Sequence, residues 1–148
     1  MASGSRKLIL LAAGNPLRRD DGAAHRALQL LAKDVPCETR SVLQWTPELA
    51  VEIADFETVV FLDADAEAEA VVIEPLRAPG GASPLTHWEN PAEIAGLSAA
   101  LYGFTGRALL CRIPASDFSH GEGLSERAEL GIAAALATML FSVIHQSS

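Results

Sequence analysis

Three residues of this sequence, Asp21, Asp63 and His87, are of types that could together hold a divalent metal ion. Two carboxylates and one imidazole form a hard-to-borderline ligand set. It suits nickel, zinc or another divalent first-row metal and leaves coordination positions open. Asp63 lies 42 positions beyond Asp21, and His87 a further 24, so only the fold can assemble them. Each has a plainer reading beside this one. Asp20 or Asp21 could simply cap a helix, and His87 could be a loop histidine with an ordinary hydrogen bond. No Ser-His-Asp or Cys-His nucleophile set is apparent, which agrees with water as the nucleophile of any hydrolysis. Asp20 and Asp21 are then the candidate general bases.

The elements that must position these residues alternate between strand and helix. Lys7–Ala13 (KLILLAA) is a continuous apolar run stopped by Gly14-Asn15-Pro16, as expected of a strand buried on both faces. Asp20-Asp21-Gly22 precedes a helical stretch to about Lys33 that carries Ala23, Ala27, Leu30 and Leu31 on one face. Beyond Pro36, Cys37–Leu43 is a second, more exposed strand, and Thr46-Pro47-Glu48 opens a short helix with Thr46 as its N-cap. Thr58–Leu62 is a third strand ending at Asp63, and Ala70–Ile73 a fourth, closed by Pro75. Only about seven residues separate these two, whereas a parallel crossover needs a dozen or more, so the fourth strand should run antiparallel to the third. The Gly/Pro/Ser-rich stretch Arg77–Leu85 leads to Thr86-His87. Pro91–Tyr102 is helical, with Ile94, Leu97 and Leu101 aligned, and Arg107–Ile113 is a fifth strand stopped by Pro114. After the polar loop Ser116–Gly123, Ser125-Glu126 opens a last helix to about His145. Leu130, Ala134, Ala137, Phe141 and Ile144 fall at core spacing along it. This alternation predicts a three-layer α/β/α sandwich. Asp21, Asp63 and His87 all sit just past strand ends or in loops there, where open α/β sheets place their ligands.

A chain of 148 residues without internal repeat or linker fits one domain, 1–148, with about residues 1–5 a disordered N-terminal segment. A hydrophobic fraction of 49% with 20% charged residues is globular. The formal charge of −8 argues against a nucleic-acid-binding face. No apolar run approaches the roughly 20 residues of a membrane span, and LILLAA reads as a buried strand rather than a signal peptide. A cytoplasmic location is the expectation. Cys37 and Cys111 belong to no Cys-x-x-Cys pair and read as reduced, buried thiols.

Other signals fall away. Asp63, Asp65, Glu67, Glu69 and Glu74 follow calcium-loop spacing, but Ala68 stands where the obligatory Gly would be and strands flank the segment. Asp65, Glu67 and Glu69 are better read as a solvated acidic loop, with Asp65 a substitute for Asp63 if the strand ran two residues further. A receiver domain is excluded, because Asp20-Asp21 lies seven residues beyond Ala13 and no Lys follows the fifth strand. The Gly14-Asn15 turn lacks a dinucleotide fingerprint. His25 and His145 are structural or superficial, His120 is a loop residue near the strand ends, and Trp45 and Trp88 flank the proposed site.

Gly14-Asn15-Pro16-Leu17-x-x-Asp20-Asp21-Gly22 after a first strand resembles the signature of the hydrogenase maturation proteases. The resemblance continues through Thr46-Pro47-Glu48-Leu49, Leu62-Asp63-Ala64, Thr86-His87, the Pro-Ala-Glu helix start, the Arg-Ala-Leu-Leu strand and Gly121-Glu122-Gly123-Leu124-Ser125. It implies a phosphorylase/hydrolase-like, five-stranded mixed sheet in order 2-1-3-5-4. It implies an aspartyl-type endopeptidase that trims the C-terminal extension from the precursor of a nickel–iron hydrogenase large subunit, and so regulates that enzyme. By position, Asp21, Asp63 and His87 become both the metal ligands and the catalytic residues, with nickel supplied by the substrate and the isolated site empty or holding another divalent cation. A non-catalytic paralogue, acting as a metal-state-sensing binding or assembly factor, is the alternative. Ala12 and Ala24 replace glycines usual in the family, and Gln44-Trp45-Thr46 replaces a Gly-rich turn.

Overall fold

The computed structural model describes residues 6–76 and 90–144, with side chains as far as Phe141. His87, with Thr86 and Trp88, lies outside the described residues, as do residues 1–5, expected to be disordered, and His145. Strands β1 (Arg6–Ala13), β2 (Glu38–Val42), β3 (Phe56–Asp65), β4 (Val72–Pro75) and β5 (Arg107–Pro114) form one sheet in the order β2-β1-β3-β5-β4. The first three and β5 are parallel, and β4 is antiparallel to β5. The order implied by the resemblance and the direction inferred from loop length are both what the sheet has.

Helices α1 (Ala23–Asp34), α2 (Leu49–Ile53), α3 (Pro91–Leu101) and α4 (Glu126–Thr138) cover the two faces. Alternation along the buried strands divides the core. Leu8, Leu10, Ala12, Val60, Leu62, Leu109, Cys111 and Ile113 meet α1 and α4 on one side. Ile9, Leu11, Ala13, Val59, Phe61, Ala108 and Leu110 meet α2 and α3 on the other. Each large aliphatic side chain so buried contributes about 1.5–3 kcal/mol relative to exposure. Ala12 and Ala24 are fully buried in the α1/α4 layer, where their methyls pack in place of hydrogen. Cys111 is buried and its thiol is pushed up to about 12 by that burial; Cys37 is half-buried and also raised, by burial and by Glu38.

Several boundaries differ from the sequence expectation. β3 extends past both predicted ends, so Asp63 lies within the strand. β4 begins two residues later than expected and includes Pro75, tolerated because β4 is an edge and the next N–H, of Leu76, donates to Ala108 O at 2.8 Å. Neither Asp20 nor Asp21 caps α1, whose N-cap is Gly22 with no side-chain bond. Thr46 is not the cap of α2 either; its carbonyl accepts from Leu49 N in the turn leading into that helix. In α1, Leu28 takes the buried position and Leu30 only packs against the core. Leu101 of α3 is 65% exposed.

The largest correction concerns α4. Ser125 is its N-cap, with Oγ accepting from Ala128 N at 3.1 Å. The buried face, however, is Ala128, Gly131, Ile132, Ala135 and Met139, while Leu130 is 65% and Phe141 80% exposed. The segment is apolar nearly all round, so spacing alone could not select a face. After Thr138 the helix widens into a π-helical turn, Met139–Ile144.

Candidate functional site

At the C-terminal ends of the parallel strands, β1 connects outward through α1 to β2 while β3 leads toward β5 on the other side. This reversal opens a crevice between β1 and β3, the usual ligand position in open α/β sheets. Asp21 reaches it from the chain after β1, and Asp63 from β3 itself.

Asp21 is delivered by a tight reversal. Gly14 ends β1 with φ +139°, and a Cβ there would lie 1.9 Å from Asp21 O, so no other residue fits. His25 Nε2 donates to Gly14 O at 2.8 Å, which ties α1 to the strand end. Asn15 N donates to Asp21 Oδ2 at 2.6 Å, and Asn15 Oδ1 accepts from Leu17 N at 2.9 Å. The Asp21 carboxylate is thereby turned back toward the end of β1.

Asp63 stands on the α2/α3 side of the sheet, where the buried Trp45 ring meets Phe61 edge-on at 5.2 Å between centroids. Trp45 Nε1 donates to Asp63 Oδ2 at 3.3 Å. Burial pushes the Asp63 carboxyl up to about 6, and the charges of Asp21 and Asp65 add to this; the Trp45 and Ala64 N–H groups oppose it. The elevation by Asp21 places the two carboxylates within electrostatic reach of each other.

Asp20 has a different role from the candidate base expected of it. It is fully buried, and its carboxylate accepts from Ser116 N (2.8 Å), Asp117 N (2.9 Å), Ser125 N (2.7 Å) and Ser125 Oγ (2.6 Å). Burial alone would raise its pKa, but these four donors outweigh it and hold the carboxyl below the usual range. A carboxylate saturated this way takes no substrate proton. The signal was absent from local sequence, because its partners lie about a hundred residues on in the chain.

β3 does run on to Asp65, whose carboxylate has partners of its own. Its Oδ1 accepts from Glu67 N at 2.8 Å and its Oδ2 lies 3.9 Å from Arg112 Nε; Arg112 also pairs with Glu74 at 2.6 Å. Trp45, noted in the sequence only as a neighbour of the site, is the residue that orients Asp63. His120 is exposed.

The fold thus brings Asp21 and Asp63 together, and His87 lies outside the described residues. Among the described residues no three His, Cys, Asp or Glu side chains stand as a metal-holding group, so the carboxylate pair needs a further ligand to hold an ion. A carboxylate raised by burial and by a neighbouring acid, as Asp63 is, is suited to a cation, which relieves that cost.

No protein-family model and no curated protein matches the sequence. Solved structures do match over nearly the whole chain. The hydrogenase maturating endopeptidase HybD from E. coli superposes with a TM-score of 0.68 at 18% identity, covering 95% of this chain and 93% of its own. A hydrogenase 2 maturation peptidase from a Thaumarchaeota archaeon gives 0.67 at 21% identity, over 91% and 96%. The NiFe hydrogenase maturation protease HybD from Thermococcus kodakarensis gives 0.62 at 22%, over 96% and 99%. This chain has the hydrogenase maturation protease fold.

Proposed function

We propose that this chain is a hydrogenase maturation endopeptidase. It removes the C-terminal extension of a nickel–iron hydrogenase large-subunit precursor after nickel has been inserted. What carries this reading is the convergence of Asp21 and Asp63 in one crevice of a maturation-protease fold, with Asp63 raised to about 6 by burial and by its acidic neighbours.

Nickel enters as part of the substrate. Asp21, Asp63 and His87 are the residues that would grip it, and the bound ion supplies a positioning template or a Lewis acid for cleavage of the tail. The chain's own contribution is orientation. Asn15 N–H fixes one oxygen of Asp21, Trp45 Nε1 fixes one of Asp63, and the Gly14 reversal keeps the first carboxylate beside the sheet. Positioning of this kind matters because misplacement of a ligand by about 1 Å costs orders of magnitude in rate. Water is the nucleophile this reading assigns, in agreement with a sequence in which no Ser-His-Asp or Cys-His set is apparent.

Mass spectrometry of a nickel-loaded large-subunit precursor incubated with this chain is the test. Truncation of the tail is expected, and its loss in Asp21→Asn, Asp63→Asn and His87→Ala variants that keep the wild-type fold. Intact precursor, under conditions where an active maturation protease cuts it, would overturn the enzyme and leave a metal-state-sensing binding factor.

A further inference from the structure

The turn that carries Asp21 does not hold its shape alone. Arg19 has a positive φ of +44°, a strained conformation for a side-chain-bearing residue that persists only where surrounding bonds over-determine it. Beside the turn's own bonds, Arg18 N to Asn15 O and Asp21 N to Arg18 O, a second set reaches it from the Ser116–Ser125 loop. Arg19 N donates to Gly121 O (3.1 Å), Gly121 N to Leu17 O (2.8 Å) and Asp20 N to Asp117 O (2.8 Å). Arg19 Nη1 donates to Glu122 O (2.9 Å) and Arg18 Nε to Phe118 O (3.2 Å). Gly121, at φ +136°, lets the Arg19 guanidinium lie flat against the loop, since a Cβ there would meet Arg19 Nη2 at 2.8 Å. At the centre is Asp20, which gathers both ends of the loop, Ser116-Asp117 and Ser125, onto one carboxylate.

We propose that Asp20 is a positioning residue: its latch on the Ser116–Ser125 loop sets the turn that aims the adjacent Asp21 at Asp63. Three observations carry this. Asp20 is completely buried and saturated with donors, so it touches no substrate. It is the immediate neighbour of Asp21, so any relaxation of Arg19 or Asp20 rotates the backbone that bears the Asp21 side chain. The Asp21 side chain is held by one short bond, from Asn15 N, and its own N–H donates at 3.0 Å to Arg18 O within that same turn. An ion-binding pair tolerates about 0.5 Å of displacement, so a turn freed from its latch would leave both carboxylates present but badly aimed. The proposal rests on the metal-gripping reading for its consequence, and its geometry can be read without any metal.

The experiment uses the full chain, and the probe is hydrogen exchange of the Asn15 amide, which donates to Asp21 Oδ2. In Asp20→Asn we expect that amide to exchange at least tenfold faster than in wild type, while β1 amides from Ile9 to Ala12 keep their protection. Ser125→Ala, which removes the 2.6 Å hydroxyl bond to Asp20 together with the α4 cap bond from Ala128 N, should give the same pattern at smaller amplitude and serves if Asp20→Asn does not fold. Ile132→Val, a core change away from the latch, controls for general loss of stability and should leave Asn15 in step with β1. Unchanged Asn15 exchange in Asp20→Asn, with the Ser116, Asp117 and Ser125 amides released, would overturn the proposal. Calorimetric titration with Ni²⁺ alone then reads the consequence: at least tenfold weaker binding in Asp20→Asn than in wild type, with equal affinity overturning it. Wild type that binds no Ni²⁺ would sink the metal reading instead, and the Asn15 result would decide the latch by itself.

Discussion

Replacing Asp63 by Asn should stabilise the metal-free protein at pH 8 and do almost nothing below pH 4. In the folded chain the carboxyl ionises at about 6, against 3.8 for an unperturbed Asp. At about 1.4 kcal/mol per pH unit, ionisation is disfavoured in the folded state by about 3 kcal/mol. The folded chain therefore holds a proton that the unfolded chain has released between about pH 4 and 6. Stability from this group falls as pH rises through that window and is flat above it. Asn carries no charge and keeps an oxygen for Trp45 Nε1, whose bond to Oδ2 is long at 3.3 Å and so weak. Allowing for its loss, the gain at pH 8 should be about 1–3 kcal/mol. Urea unfolding of wild type and Asp63→Asn with a chelator present, at pH 3.5, 5, 6.5 and 8, measures it. Taking the difference between the two proteins cancels other titrating groups, including Asp20, whose lowered pKa contributes in the opposite direction. An Asn variant no more stable than wild type at pH 8, or one whose advantage does not shrink on acidification, would refute the reasoning.

Trp45→Phe removes the indole donor from Asp63 Oδ2, so the carboxyl should titrate above its present value of about 6; ¹³C NMR of the Asp63 carboxyl measures this, and a fall would contradict it. Gly14→Ala must relieve both a positive φ and a 1.9 Å overlap with Asp21 O. It should cost at least about 2 kcal/mol in denaturant unfolding, and a melting temperature equal to wild type would show that the reversal is softer than drawn. On α4, Leu130→Lys should change stability by no more than about 0.5 kcal/mol, whereas Ile132→Asp should cost several; thermal melts of both check which face is buried, and the reverse ranking would restore the face the sequence suggested.

What could be read in the sequence followed how local its cause was. The strands were legible as apolar runs because burial on both faces leaves no alternation to misread, and the direction of β4 followed from chain length alone. The position of β4 was harder. Pro75 looks like a terminator but is acceptable on an edge, which is a property of the neighbouring strand. The faces of α4 were illegible for a related reason: Gly131, Ile132 and Ala135 are buried by β5 and α1, while equally apolar residues one step round the helix meet nothing. Asp63 stood out as a strand-end acid, but its partner Trp45 could not be inferred from a separation of 18 residues. Asp20 and Asp21 look interchangeable in sequence. Only the loop after β5 separates them, by engaging one and leaving the other to the crevice.

The proline in β4 also shapes how the molecule meets others of its kind. Because Leu76 N–H points inward to Ala108 O, alternation turns the Pro75 nitrogen outward, where it has no hydrogen to offer. A fibril-like ladder propagating from that border would miss a rung within a four-residue span and would meet the Glu74–Arg112 ion pair beside it. That margin of the sheet is thus blunted against runaway self-association, as unprotected borders in β-rich proteins commonly are not.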